Sequence, residues 1–123
     1  MEQLSVVSIV DDDLSVRESL PDLLKELGYS ARAFASGEEY LASAHVGQTA
    51  CLIVDVAMPG MSGPELQREL RQRGNKTPVI FMTAKDDGTI RKHALREGAI
   101  DCLAKPFTEM DLLEALGRAL ETG

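Results

Sequence analysis

Five short apolar runs alternate with longer amphipathic stretches along this chain, and no other feature restricts its fold as much. The runs are Val6–Val10, Ala31–Phe34, Cys51–Val54, Pro78–Met82 and Ile100–Leu103. Each is four or five residues long and Val and Ile recur among them, which suits strands covered on both faces. Helical signals lie between them. Val16, Leu20, Leu23, Leu24 and Leu27 fall on one helical stripe that ends at Gly28, and Leu112, Leu113, Leu116 and Leu120 form another. Ser15 and Glu18, Ser36 and Glu39, Ser62 and Glu65, and Thr108 and Asp111 each set a hydroxyl three residues before a carboxylate. That spacing lets each side chain satisfy a backbone N–H that the helix start leaves unpaired. Gly74 and Gly98 read as stops. Pro21 falls inside the first stripe and is expected to kink that helix without ending it, because it lacks the backbone donor.

Strand–helix alternation at this spacing predicts an α/β architecture: a doubly wound, five-stranded parallel sheet with right-handed crossovers and helices on both faces. Residues 1–123 suffice for one domain, and 44% hydrophobic content supplies a core. The net charge of −7 repels phosphate backbones and argues against direct nucleic-acid binding. No basic segment leads into an apolar stretch at the N-terminus and no run of 18 apolar residues occurs, so a membrane or secretory role is not expected and a cytoplasmic one is. Cys51 and Cys102 sit in apolar runs and read as buried thiols. With only His45 and His93 far from them, they make no zinc site.

Ligands of such sheets bind at the carboxyl ends of the strands. There the sequence offers Asp11-Asp12-Asp13 after the first run, Asp55 after the third, Thr83-Ala84-Lys85 after the fourth and Lys105-Pro106 after the fifth. Any one of them alone reads as a turn or cap residue. Together they bring acids, a hydroxyl and a lysine to one edge, the set that phosphoryl transfer with a hard metal requires. Carboxylates offer the oxygen ligands Mg²⁺ prefers, and their mutual repulsion raises at least one pKa without a cation. The lysine and threonine can hold phosphoryl oxygens, so catalysis would be positioning and electrostatics.

The sequence resembles the receiver domains of two-component response regulators over its whole length. The matching residues are Ile9-Val10-Asp11-Asp12, Val54-Asp55 with Met58-Pro59-Gly60-Met61-Ser62-Gly63, Phe81-Met82-Thr83-Ala84, and Gly98-Ala99-Ile100-Asp101 leading to Lys105-Pro106-Phe107. The Met58–Gly63 loop and Lys105-Pro106-Phe107 are most similar to the FixJ-like branch. The resemblance implies a flavodoxin-like (CheY-like) sheet of order 2-1-3-4-5. It implies that Asp55 accepts phosphate from a sensor histidine kinase. Asp12 directly, Asp11 through water, Asp55 and the Ala57 carbonyl would hold Mg²⁺, while Thr83 and Lys105 contact the phosphoryl group. Small Ala84 would leave the entrance open, and the Lys105-Pro106 bond would be cis.

One position departs from the family. Tyr or Phe usually stands three residues before the lysine, where this chain has Cys102. Either Cys102 is a buried filler, or switching runs through the loop after Thr83 and the fourth helix alone. Phosphate can still bias a bistable loop by contacts that differ between its two states. With order 2-1-3-4-5, strand 4 separates Cys51 from Cys102 by ~9–10 Å, too far for a disulfide.

Two other functions compete. A haloacid-dehalogenase-type phosphatase would use Asp11 and Asp13 as nucleophile and acid–base, with Thr83 and Lys105 imitating its later motifs, but it needs a further acidic motif after the lysine, and here Asp111 and Glu114 follow on a predicted helix. A receiver-like interaction module would never be phosphorylated. For output, Arg91, Lys92, His93 and Arg96 give the fourth helix a basic face, and Leu112–Leu120 with Glu114 and Glu121 give the fifth an acidic, apolar one. In the family this surface often forms a homodimer on phosphorylation, although ordinary solvated faces would look the same. The sequence given stops at Glu121-Thr122-Gly123, which suits either a stand-alone receiver or a piece whose output domain, such as a DNA-binding helix-turn-helix module, lies elsewhere.

Overall fold

The computed structural model describes residues 5–84 and 88–121. Lys85, Thr122 and Gly123 lie outside the described residues. Strands β1 (Val6–Val10), β2 (Ser30–Phe34), β3 (Cys51–Asp55), β4 (Val79–Thr83) and β5 (Asp101–Ala104) alternate with α1 (Leu14–Glu26), α2 (Gly37–Leu41), α3 (Gly63–Gln72), α4 (Thr89–Arg96) and α5 (Glu109–Leu120). The five strands pair in parallel in the order β2-β1-β3-β4-β5. Each apolar run of the sequence thus became a strand to within a residue or two. A short 3-10 turn at Ala44–Gly47, opened by the Ser43 side chain, is an element the periodicity did not announce.

Side chains alternate across the sheet, so one face of β1 points Val7 and Ile9 toward α1 and α5 while Val10 points the other way. Leu20 and Leu24 of α1 pack with Leu112 and Leu116 of α5 on the first face. Leu66 and Leu70 of α3, with Tyr40 of α2 and Ala94 of α4, cover Val54 and Phe81 on the second. Each fully buried leucine contributes about 1.5–3 kcal/mol. The expected apolar outer face of α5 is corrected here: Leu112 and Leu116 have no exposure, and only Met110 and Leu113 are exposed. A 3.6-residue stripe must face the core before it can face a partner.

Helix starts follow the hydroxyl–carboxylate spacing at three of four places. Ser62 with Glu65 and Thr108 with Asp111 form reciprocal caps, and the Ser36 side chain accepts the Glu39 N–H. The first helix differs. Its cap is Asp13, whose carboxylate accepts the Ser15 N–H at 2.8 Å. An Asp two residues ahead of the Ser starts the helix earlier and satisfies the first orphan donor there. The helix runs through Pro21 to Glu26. Gly74 and Gly98 follow the ends of α3 and α4 with φ of +79° and +98°, the left-handed conformation that glycine adopts freely. Cys51 and Cys102 are buried free thiols with β4 between their strands. Among the described residues, no helix is long and apolar enough to cross a membrane.

Candidate functional site

The strand register aligns the site. Val10 pairs with Val54, so Asp11 and Asp55 leave adjacent strands at one level, and Thr83 pairs with Ala104, so Lys105 follows beside it. The Lys105 N–H donates to the Thr83 carbonyl at 2.8 Å, and the Lys105–Pro106 bond is cis.

Asp11 is fully buried, a position a carboxylate holds only when its oxygens are hydrogen-bonded. Its Oδ1 accepts the Asp13 N–H at 2.9 Å, and its Oδ2 accepts from Lys105 Nζ at 2.9 Å. Arg17 Nη1 donates to the Asp11 carbonyl at 3.0 Å. Asp12 is exposed. Asp55, its side chain 13% exposed, has Oδ2 3.7 Å from Lys105 Nζ. Carboxylate oxygens of Asp11, Asp12 and Asp55 lie within 4.8 Å of one another.

Electrostatics follow from this crowding. Burial pushes the Asp55 carboxyl above its usual range. The Lys105 charge and the Ala57 N–H oppose that shift, while Asp11 and Asp12 add to it. Burial also works against the Lys105 ammonium, but the Asp11 hydrogen bond and the charges of Asp55, Asp11 and Asp13 outweigh it and raise its pKa. The site therefore keeps its lysine charged and holds its acids under mutual repulsion.

The loop after β3 closes tightly on Asp55. The Val56 N–H donates to Met82 O at 2.9 Å and the Gly63 N–H to Val56 O at 3.0 Å. A Cβ at Gly63 would lie 2.5 Å from the Asp55 carbonyl and 2.9 Å from Phe81 Cε1, so only glycine fits there. Thr83 is buried and Ala84 exposed at the end of β4, and Cys102 is 4% exposed within β5.

The structure thus brings together Asp11, Asp12, Asp55 and Lys105, with Thr83 on the neighbouring strand. Asp13 stands apart from them in role, because its carboxylate caps α1; that removes the second carboxylate the phosphatase reading requires. Arg17 and Gly63 were not singled out as site residues. Gly63 was legible as part of the glycine-bearing loop. Arg17 was not, since its partner is a backbone carbonyl.

The three-carboxylate set fits a magnesium ion on chemistry alone: every donor is a hard oxygen and the oxygens converge. It is an acidic pocket of the kind through which receiver domains bind Mg²⁺.

Comparison with known proteins agrees. Residues 7–117 match the response regulator receiver domain family. The response regulator protein TmoT of Ectopseudomonas mendocina is 43% identical over 98% of this chain and 54% of its own length. The transcriptional regulatory protein FixJ of Azorhizobium caulinodans is 39% identical over 95% of this chain and 57% of its own. The chain thus spans about half the length of the curated relatives it matches. The solved structure of FixJ-N superposes with a TM-score of 0.86 at 35% identity, covering 99% of this chain and 98% of that one.

Proposed function

The chain belongs to the response regulator receiver domain family, and on that premise we propose that Asp55 is its phospho-acceptor and that the receiver unit spans residues 1–123. The observation that carries this reading is the convergence of Asp11, Asp12 and Asp55 oxygens within 4.8 Å beside a lysine ammonium 3.7 Å from Asp55. Neither the phosphatase nor the unphosphorylated module is favoured by the family match.

Asp55 Oδ attacks the phosphorus of a phosphohistidine on a sensor kinase. The P–N bond breaks, the imidazole leaves with the electron pair and takes up a proton, and an acyl phosphate remains on Asp55. The site needs no proton from Asp55, which reacts as the carboxylate. Lys105 pairs with a phosphoryl oxygen and Thr83 donates its hydroxyl to another, so charge developing in transfer meets fixed donors. Asp12 directly, Asp11 through water, Asp55 and the Ala57 carbonyl would hold Mg²⁺, which supplies positive charge against the phosphoryl oxygens. Ala84, exposed beside Thr83, leaves the approach open. The same residues would govern the rates of autophosphorylation from small donors and of dephosphorylation.

The partners follow from that chemistry: a histidine kinase that delivers phosphate in the cytoplasm, and an output domain in a longer chain, since the relatives are about twice as long and FixJ is a transcriptional regulator. Any DNA contact belongs to that domain, because this one is acidic. The α4–β5–α5 surface is the switched one, with a phosphorylation-dependent homodimer as its output. Size exclusion of the phosphorylated chain with and without salt tests the dimer, and an unchanged monomer in both rejects it. The acceptor itself is tested by locating the phosphate after treatment with acetyl phosphate and Mg²⁺: Asp55 should carry it and Asp55→Asn should abolish it.

A further inference from the structure

A buried carboxylate on the opposite end of β5 from Lys105 holds two arginines. Asp101 is 3% exposed. Its Oδ1 lies 2.5 Å from Arg91 Nη1 of α4 and accepts the Cys102 N–H at 2.7 Å. Its Oδ2 pairs with Arg118 Nη2 of α5. Arg91 also donates to the Cys102 carbonyl at 3.0 Å. One acid therefore ties both helices to the strand, and Arg91 grips the backbone at the position where the family's aromatic is replaced.

Position within the fold makes this cluster more than a surface ion pair. Two chain paths leave the phosphoryl site. One leads from β4, which ends at Thr83, to the next element in the chain, α4, where Arg91 stands in the first turn. The other runs back along β5 from Lys105 to Asp101. They are bridged at the site by Lys105 N–H to Thr83 O at 2.8 Å, and they meet again where Arg91 grips Asp101 and Cys102. Arg91 thus joins α4 to the strand that pairs with β4 and leads to Lys105.

The helix that would move has room to do so. Ala94 is the only buried residue of α4. A cavity of about 340 Å³ lies between it and α3, lined by Val56, Gln67, Phe81, Ile90 and Ala94 among others. Gln67 beside it is 3% exposed, and among the described residues its Nε2 has no hydrogen-bond partner.

We propose that Arg91, bridging to Asp101 and the Cys102 carbonyl, is an intramolecular latch that holds α4 on β5 in the unphosphorylated state and lets go when Thr83 is drawn to the phosphoryl group. The latch replaces an aromatic rotamer switch, which a thiol at position 102 cannot supply. It rests on the reading of Asp55 as acceptor. A contact made only in the resting state opposes activation, so removing it must favour the active state by linkage.

The test uses the whole chain with Mg²⁺ and beryllium fluoride, a phosphoryl-group analogue, read by calorimetry and by amide hydrogen exchange. In the wild type, analogue binding should speed exchange over α4. Arg91→Ala and Asp101→Asn should each tighten analogue binding by about fivefold or more, the double variant no further than the better single. In Arg91→Ala the fast α4 exchange should exist before analogue is added. If that variant speeds exchange across the whole sheet, Arg91→Lys takes its place, since it keeps the charge but loses the two-point hydrogen bonding. Unchanged or weaker binding, or α4 exchange indifferent to the analogue in the wild type, overturns the latch alone. No analogue binding to the wild type at all overturns the acceptor reading and the latch with it.

Discussion

Lys105 Nζ lies 2.9 Å from Asp11 Oδ2 and 3.7 Å from Asp55 Oδ2, so the resting lysine is paired with the deepest acid and stands off from the one proposed to react. Asp11 is fully buried and needs that cation; Asp55 is left to the phosphoryl group. A small shift of one flexible side chain, with no change of backbone, would exchange the two partners.

Lys105→Ala should therefore act in two directions at once. With the ammonium gone, repulsion among Asp11, Asp12 and Asp55 is relieved only by added cation, so Mg²⁺ affinity should rise by calorimetry. Phosphorylation by acetyl phosphate should slow by about a hundredfold, the usual cost of removing one positioned charge-stabilising donor.

Burial holds the Asp55 carboxyl above its usual range, and the sign of the pH effect follows. Its ionised form is penalised in the fold, fully so above the folded-state pKa, and the penalty disappears below the ordinary carboxyl value. Asp55→Asn should raise Tm at neutral pH without metal, and the difference should shrink as pH falls into the carboxylate range. Added Mg²⁺ should stabilise the wild type more than the Asn variant.

Gly63→Ala would set a Cβ 2.5 Å from the Asp55 carbonyl. Backbone cannot yield as a side-chain tip does, so the loop must move. Urea denaturation should show a loss of about 1–3 kcal/mol, and phosphorylation should slow because Asp55 shifts with its own carbonyl.

Burial pushes the Cys51 thiol up to about 12, and the thiolate is the reactive form. At pH 8 a thiol reagent should leave Cys51 unmodified in the folded protein. In denaturant both Cys51 and Cys102 should react, since neither is in a disulfide.

Strand positions were readable because buried parallel strands must be apolar over four or five residues, and Val6–Val10 and Cys51–Val54 are. The acid edge was readable because Asp11, Asp55 and Lys105 directly follow such runs. Which acid the lysine grips was not, because it depends on the depth of Asp11 below the surface and not on spacing. Asp13 and Ser15 were both plausible caps, and the choice turned on where the chain leaves β1. Asp101 was read only as part of the Gly98–Asp101 motif, and only the fold could bring Arg91 and Arg118 to it from two helices. The leucines of α5 showed a stripe but not its direction.

The most direct test of the account is where phosphate goes. After incubation with acetyl phosphate and Mg²⁺, peptide mass spectrometry should find a single acyl phosphate on Asp55 in the wild type and none in Asp55→Asn. Phosphate on Asp11 or Asp13, or undiminished labelling of Asp55→Asn, would contradict it.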